Sequence, residues 1–459
     1  MRSLRLAFFL VALAHGALYA LLMPPWQAPD EVAHFEYSHL LATLRRPISP
    51  ADDSLPLEQA IIQSLYQFHA WTFRNSPLPA QVPTRLNQTL FGYSRTLNRF
   101  SLTYVVYALA AWPFLGQDIV IQLFAMRLAS VVMGALVVVL AFETARLVAP
   151  AAPALAVAAA GLVLLLPQHA FITAAANDGN LAELAASGCI FLLAVMWRQG
   201  LRWRTAAACL LCALAAILSK ATGYFLVGLL LVAGPALVFR WQPPRPAGRQ
   251  WSWRRVGGAG LAAGVLAAVL VPVVVFAPPL RYIRLMLSTN ARHLADFVPY
   301  VLGLNVDGRF ASALSGTFNS FWLTFGWMTF GFPQPVYTLL LVLVGLALAG
   351  LVWRLRQLPP AAETEKSLLR LLGLAAALEL GVLVTWFVTS PNGVNYFQGR
   401  YLFTAVVPLA VLLAAGSLAL APVRHQAPAA LLALALLSLF DTAAITTLAW
   451  PYFYRVGLL

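Results

Sequence analysis

The sequence predicts an all-α protein, a polytopic transmembrane helix bundle with about eleven spans. Hydrophobic residues make up 61% of the 459 residues, charged residues make up 10%, and the mean hydropathy is +0.78. A soluble domain carries about 25% charged residues, so this composition leaves too little polar surface for a soluble protein. Apolar runs of about 18 residues or more also recur along the chain, and helices are the structure with which such runs cross a bilayer.

The ends of the apolar runs define the spans and loops. The predicted spans are 4–23, 121–147, 152–172, 179–197, 204–219, 222–240, 256–278, 336–354, 368–389, 401–421 and 428–449. The first run resembles a signal peptide, but it is longer than a typical one, so we interpret it as a retained span. Two long loops interrupt the series, at 24–120 and 279–335. We interpret the whole chain, 1–459, as a single transmembrane domain.

The first loop is expected to be structured. Residues 30–46 and 57–73 have apolar side chains at helical spacing, which predicts amphipathic helices resting on the membrane. The apolar stretch 101–115 is short for a span, and we interpret it as a helix that lies in the interface or dips partway in. In the second loop, the aromatic-rich run 318–332 is typical of the interfacial belt or of a lipid groove.

The net charge of +14 does not indicate a nucleic-acid partner, because the basic residues lie between apolar runs rather than in one patch. We place the N-terminus in the cytoplasm and leave 101–115 non-spanning. The basic connections that then fall in the cytoplasm are 198–204, 240–255, 354–370 and Arg424. This arrangement obeys the positive-inside rule, and it places both long loops on the outer side.

The most informative motif is PDEVAH at 29–34, directly after the first span. Proline presets a helix start, so Asp30 and Glu31 are expected in a first helical turn, where the helix dipole favours ionised carboxylates. His34 follows at a spacing that places it on the same helix face. Such a group can deprotonate a hydroxyl or bind a divalent cation. The alternative is that the acidic residues only begin a helix.

Other polar residues lie on the same predicted side. Asp178, in the turn before 179–197, is either a second acid or a cap of that span. Lys220 and Arg400 are basic residues on the outer side, against the positive-inside trend. A cation at the mouth of a bundle is costly unless it is paired, and phosphate is a suitable partner. The alternative is that both residues are interfacial anchors.

Polar residues within the spans receive structural interpretations. Cys209 and Cys212 form a C-x-x-C inside an apolar helix, which favours packing over a metal or redox role. Glu143, Glu183 and Glu379 are interpreted as partly buried pairing residues.

The long first outward loop, which opens with an acidic pair just after the first span, resembles the GT-C superfamily of membrane glycosyltransferases. Three short motifs are similar, more closely, to a bacterial family of polytopic membrane proteins without an assigned function that itself resembles GT-C. These motifs are PDEVAHF at 29–35, FGW at 325–327 and QGRY at 398–401. The resemblance spans nearly the whole chain. It implies a GT-C-like fold and a donor consisting of a sugar linked to a polyprenyl phosphate, used on the outer face of the membrane.

The resemblance also implies roles for individual residues. It implies that Asp30 with Glu31 serves as base or metal ligand, and we add His34 to the catalytic candidates because it shares their helix face. It implies that Lys220 and Arg400 hold the donor phosphate, and we add the neighbouring Tyr401 to this set. The implied ligands of a divalent metal ion, if one is used, are Asp30, Glu31 and Asp178. Since the chain ends soon after its last span, acceptor recognition is expected to come from the two outward loops.

We therefore expect a glycosyltransferase of the bacterial cytoplasmic membrane that moves a sugar from a polyprenyl-phosphate donor to an acceptor hydroxyl. Its expected partners are this donor, an envelope acceptor (a glycolipid, polysaccharide or protein) and membrane lipids, without nucleic acid. The alternatives are a transporter or lipid flippase, and an inactive scaffold subunit. A transporter is expected to show inverted repeats, and the sequence shows no such symmetry.

Overall fold

The computed structural model describes residues 2–49, 52, 54–74, 76–92, 100–240, 309–389 and 398–454. Within these ranges the regular structure is helical, apart from one isolated β-bridge between Phe325 and Phe330. The all-α prediction is confirmed.

The α-helices of the described chain are numbered in order. Those before the second long loop are α1 (Arg2–Leu22), α2 (Glu31–Leu44), α3 (Leu55–Gln67), α4 (Ala70–Phe73), α5 (Leu102–Ala111), α6 (Ile119–Val148), α7 (Pro153–Leu164), α8 (Pro167–Thr173), α9 (Gly179–Gln199), α10 (Trp203–Ser219) and α11 (Phe225–Arg240). Those that follow are α12 (Arg309–Trp322), α13 (Gln334–Gln357), α14 (Glu363–Thr389), α15 (Val406–Ala419), α16 (Gln426–Ala443) and α17 (Trp450–Tyr454). Short 3-10 segments include Ala221–Tyr224 and Gly399–Ala405, and a π-helical turn covers Ala444–Ala449.

The polytopic helical bundle is confirmed. In the described ranges, eight helices are long and apolar enough to cross a membrane, and the broken pair of α7 and α8, bent by 60°, makes a ninth. The predicted span 204–219 is α10, whose 17 residues are at the short end of the range for a membrane span. The predicted span 256–278 lies outside the described residues.

The first loop folds into the protein to a greater extent than a helix resting on a membrane would. Of the 14 residues of α2, 10 are buried. Its aromatic side chains join a second apolar core beside the main bundle. Members of this core include Trp26, Phe35, Leu65, Trp71 and Phe91. α5 is a short helix, as predicted for 101–115, and Ser101 caps it by accepting a hydrogen bond from the Thr103 N–H.

Part of the aromatic run 318–332 also packs into the protein. Phe325 is fully buried in the main core, and Gly326 adopts the left-handed conformation (φ +61°) that turns the chain there. The Trp327 indole N–H donates to the Trp26 carbonyl oxygen at 3.0 Å. The second long loop is thereby attached to the beginning of the first.

Candidate functional site

Asp30 is the residue directly before α2, and its backbone conformation directs its carboxylate away from the helix. Its φ is +66°, which is unusual for a residue with a side chain, and its carboxylate does not cap the helix. Instead, its backbone carbonyl accepts the His34 N–H, and its Oδ2 accepts a hydrogen bond from Arg400 Nη2 at 2.9 Å. Strained backbone of this kind clusters at functional sites. The carboxylate lies at the surface of the site, with its side chain 31% exposed.

Glu31, the next residue, lies in a sealed environment. Its carboxylate is fully buried and accepts Arg127 Nε at 2.9 Å and Arg127 Nη2 at 2.7 Å. It also accepts the backbone N–H groups of Trp26 and Ala176. Four hydrogen-bond donors therefore hold this carboxylate. The alternative that the acidic residues only begin a helix describes Glu31 better than it describes Asp30.

Arg127, on the span α6, is the residue that sequence reasoning missed. Besides Glu31, it donates to the carbonyl oxygens of Ala20, Met23 and Pro24 at the end of α1. One guanidinium thus ties together α1, α6 and the start of α2. The available signal was an arginine inside an apolar span, where a charge is costly unless it is paired.

A second acid–base pair faces the first. Lys220, the C-cap residue of α10, places its Nζ 2.5 Å from Asp178 Oδ1, in the turn before α9. His34 lies between the two acids, with Nε2 3.8 Å from Asp178 Oδ1 and Nδ1 3.0 Å from the Tyr104 hydroxyl. The structure therefore brings Asp30, His34, Asp178 and Lys220 into one group from separate segments of the chain.

The QGRY segment completes this group. Gly399 is required by packing, because a Cβ there would lie 2.1 Å from the Phe321 backbone nitrogen at the end of α12. Arg400 then pairs with Asp30, and the Tyr401 ring lies beside both cations. The ring centroid is 5.4 Å from Lys220 Nζ and 5.3 Å from Arg400 Cζ. These are distances of cation–π contacts.

Burial and charge set the protonation states of His34 and Asp178. Burial lowers the pKa of His34 below its usual 6.5, against the attraction of the nearby carboxylates, so the imidazole is neutral at pH 7. Burial opposes ionisation of Asp178, but the Lys220 ammonium outweighs it, and the pKa of Asp178 is lower than usual. The site thus combines ionised acids, basic side chains and a neutral imidazole.

A small cavity of about 10 Å³ lies beside the two cations. Lys220 and Arg400 line it, together with the first turn of α9 and the start of the 3-10 segment Ala221–Tyr224. The cavity is therefore continuous with the acid–base group.

The three predicted metal ligands do not fit a divalent cation. Each is already paired with a basic side chain: Asp30 with Arg400, Asp178 with Lys220, and Glu31 with Arg127. Within the described ranges, no three His, Cys, Asp or Glu side chains are grouped to hold a metal ion. A carboxylate that is already neutralised by a cation is a poor metal ligand, so these residues do not favour a metal-dependent reaction.

The other polar residues that the sequence analysis considered lie outside the acid–base group. Glu143 pairs with Arg146, Glu183 with His169, and Glu379 accepts from the Thr404 hydroxyl. The contacts of Glu143 and Glu183 agree with their interpretation as pairing residues, whereas Glu379 meets only a hydroxyl and its Oε2 is buried without a partner in the described contacts. The thiol of Cys209 lies 3.5 Å from that of Cys189, on the neighbouring helix α9. Sequence spacing alone did not show this pair.

This chain belongs to the family DUF2142, described as a predicted membrane protein, and the family profile matches residues 13–413. No curated protein matches the chain. The matched range contains every residue of the acid–base group. The expectation of a membrane-embedded protein is confirmed, and the bundle agrees with it.

Proposed function

We propose that this member of a membrane-protein family is a GT-C-type glycosyltransferase, which moves a sugar from a polyprenyl-phosphate donor to an acceptor hydroxyl. The observation that carries the proposal is the ion pair between Asp30 and Arg400. These residues belong to two of the motifs that carry the resemblance, they are 370 positions apart in the chain, and their side chains meet at 2.9 Å. A second pair, Asp178 with Lys220, faces them.

In the proposed reaction, Asp30 accepts the proton of the acceptor hydroxyl. The acceptor oxygen attacks the anomeric carbon, the bond from that carbon to the phosphate oxygen breaks, and polyprenyl phosphate leaves with the electron pair. Lys220 and Arg400 stabilise the charge that grows on this phosphate. Asp30 suits the role of base because its carboxylate is the more exposed of the two acids in the motif.

The ion pairs suggest how the base is activated. Arg400 holds the Asp30 carboxylate in its ionised form, which makes it a weak base. A donor phosphate competes with this carboxylate for the guanidinium, because phosphate accepts bidentate hydrogen bonds from arginine. Once Arg400 turns to the phosphate, its attraction for the Asp30 carboxylate weakens and the proton affinity of Asp30 rises. Donor binding therefore prepares the acid that the next step requires.

The proposed active site faces outward, on the side where lipid-linked sugars are presented. The positive-inside rule places Asp30, Asp178, Lys220 and Arg400 on one side of the membrane. Their contacts in the folded chain are consistent with a shared side, since two residues on opposite faces of a bilayer cannot form an ion pair.

A lipid flippase is the second candidate, and one observation favours it. The broken pair of α7 and α8 resembles the interrupted helices of transporters, and Ile172, in its second half, lines the cavity beside the site. A flippase moves a lipid-linked sugar without breaking the sugar–phosphate bond, so the two candidates differ in their products.

The experiment is to incubate the purified protein with a panel of undecaprenyl-phosphate hexoses, with an envelope extract as the acceptor source. We expect release of free undecaprenyl phosphate in proportion to sugar transferred to the extract. Movement of an intact donor across vesicles without any such release would contradict the transferase and support the flippase.

A further inference from the structure

The cavity beside Lys220 and Arg400 carries more polar groups than the protein itself uses. It lies between the first turn of α9, the 3-10 segment Ala221–Tyr224 and the segment Gly399–Ala405. Its polar lining residues include Asn177, Asn180, Lys220, Thr222, Arg400 and Thr404. The proposed reaction assigns roles to the two cations and none to the asparagines or Thr222.

Several of these lining groups are buried without a hydrogen-bond partner. They are Asn177 Nδ2, Asn180 Oδ1, Thr222 Oγ1 and Arg400 Nε. The asparagine and threonine residues are about 2% exposed or less. A buried polar atom without a partner is rare and costs stability. Their concentration around one cavity indicates that a ligand supplies the missing partners.

The orientation of both asparagine amides is set by their other contacts. Asn180 Nδ2 donates to the carbonyl oxygen of Ala175 at 2.9 Å, so Oδ1 is the atom without a partner. Asn177 Oδ1 accepts the Gly179 N–H at 2.8 Å, so its Nδ2 is the atom without a partner. Because backbone carbonyls only accept and backbone N–H groups only donate, neither amide can be reversed without losing these bonds.

These atoms specify the chemistry of the ligand. Asn177 Nδ2 and Arg400 Nε need acceptors, whereas Asn180 Oδ1 needs a donor. An ionised phosphate has acceptors only and cannot complete the set, while a hydroxyl group both donates and accepts. A phosphate beside several hydroxyls, as in a phosphosugar, satisfies the cations and the polar atoms together.

We propose that this cavity is the subsite for the phosphosugar head group of the donor. The phosphate binds at Lys220 and Arg400, and the sugar hydroxyls bind at Asn177, Asn180 and Thr222. This inference rests on the proposed function and adds to it residues that select the sugar. The cavity measures only about 10 Å³ in this structure, so the side chains that line it must move apart to admit a sugar unit.

Thr222→Val is the sharpest test, because valine keeps the shape of threonine and removes only the hydroxyl. That hydroxyl has no partner within the protein, so its removal should leave the melting temperature unchanged or raise it. Binding of the sugar-bearing lipid should weaken about 3- to 10-fold, as for one lost hydrogen bond. Binding of bare undecaprenyl phosphate should be unchanged. Thr222→Ser, which keeps the hydroxyl, should restore sugar-lipid binding.

Thr144→Val is the matched control. The Thr144 hydroxyl is also buried without a partner, but it lies on α6 and does not line the cavity. This variant should change stability in the same direction as Thr222→Val and leave the binding of both lipids unchanged.

Affinities are measured on the purified protein in nanodiscs, with undecaprenyl phosphate and with the undecaprenyl-phosphate hexose that the wild type binds best. If Thr222→Val binds the sugar-bearing lipid as the wild type does, the sugar subsite is overturned while the donor class survives. Equal weakening for both lipids also overturns it, because the hydroxyl would then serve the phosphate. If the wild type binds neither lipid, the proposed function fails together with this inference.

Discussion

Two neighbouring carboxylates in one motif, Asp30 and Glu31, meet two different arginines in different environments. Glu31 is sealed against Arg127 and receives four hydrogen bonds, whereas Asp30 meets Arg400 with its side chain 31% exposed. A buried ion pair with complete hydrogen bonding fixes the fold around it. In an ion pair beside a cavity, one residue can exchange its partner for a ligand. Under the proposed function, Glu31 is the structural acid of this motif and Asp30 is the chemical one.

Breaking the sealed pair should have the largest effect on stability. Glu31→Gln leaves the Arg127 guanidinium buried without a counter-charge, which should cost about 3–5 kcal/mol of unfolding free energy. Arg127→Met should cost a similar amount. The two changes together should cost less than their sum, because each single variant leaves one charge unpaired. The measurement is thermal unfolding of the purified variants in one detergent.

Asp52→Asn offers a comparison in the same loop, because Asp52 pairs with Arg46 at the protein surface. It should leave the melting temperature near that of the wild type. If Glu31→Gln unfolds like the wild type but loses turnover, then Glu31 is a chemical residue and the contrast with Asp30 is wrong.

Breaking the second pair should affect donor binding more than folding. Arg400→Ala should weaken binding of undecaprenyl phosphate by about 2–5 kcal/mol, the usual cost of truncating one partner of a desolvated charge pair. Arg400→Lys keeps the charge but loses the planar fork, so its effect should be smaller and still measurable. Lys220→Ala should act in the same direction and less than additively with Arg400→Ala, since both cations contact one phosphate.

Arg46→Ala is the control for these variants, because it removes an arginine of the first long loop from a surface ion pair. Its donor affinity should equal that of the wild type. Wild-type donor affinity in Arg400→Ala, accompanied only by lost stability, would make Arg400 an interfacial anchor.

Acid should destabilise the protein through His34 to a small extent. Because its folded-state pKa lies below the usual 6.5, the unfolded chain takes up a proton first as the pH falls. The contribution of His34 to stability is complete above about pH 6.5 and declines below it. His34→Gln should therefore show a smaller fall in melting temperature between pH 7.5 and pH 5.5, on the order of a few degrees. Identical pH profiles for both proteins would mean that the histidine is not held neutral.

Chelation should have the smallest effect. Since the three acids of the site are paired with basic side chains, EDTA should leave turnover unchanged. Loss of activity with EDTA, restored by a divalent ion, would show that the carboxylates leave their cations to bind metal.

The sequence predicted the parts of this molecule that depend on local chemistry. Apolar runs predicted the bundle, and the outward cations Lys220 and Arg400 were identified because they oppose the positive-inside rule. The division of labour between Asp30 and Glu31 was not predictable, since it depends on which distant arginine each acid meets. The cavity was not predictable either. Asn180 and Thr222 become informative only when folding leaves their polar atoms without partners.

The packing of the two long loops was also not predictable from the sequence. Helical spacing predicted α2 and α3, but not that most of α2 would be covered by protein. The aromatic run 318–332 fits an interfacial belt by composition, and its packing against Trp26 is a long-range contact that no local pattern shows.

The central claim is that Asp30 performs chemistry while Glu31 maintains the fold, and turnover of Asp30→Asn tests it most directly. Asparagine keeps the size of the side chain and removes the base. Release of undecaprenyl phosphate from the preferred undecaprenyl-phosphate hexose should fall about 10²- to 10⁴-fold, the usual reach of general-base catalysis, with the melting temperature near that of the wild type. Asp52→Asn, measured in parallel, should release it at the wild-type rate. Wild-type turnover in Asp30→Asn would contradict the account and reduce Asp30 to the residue that begins α2.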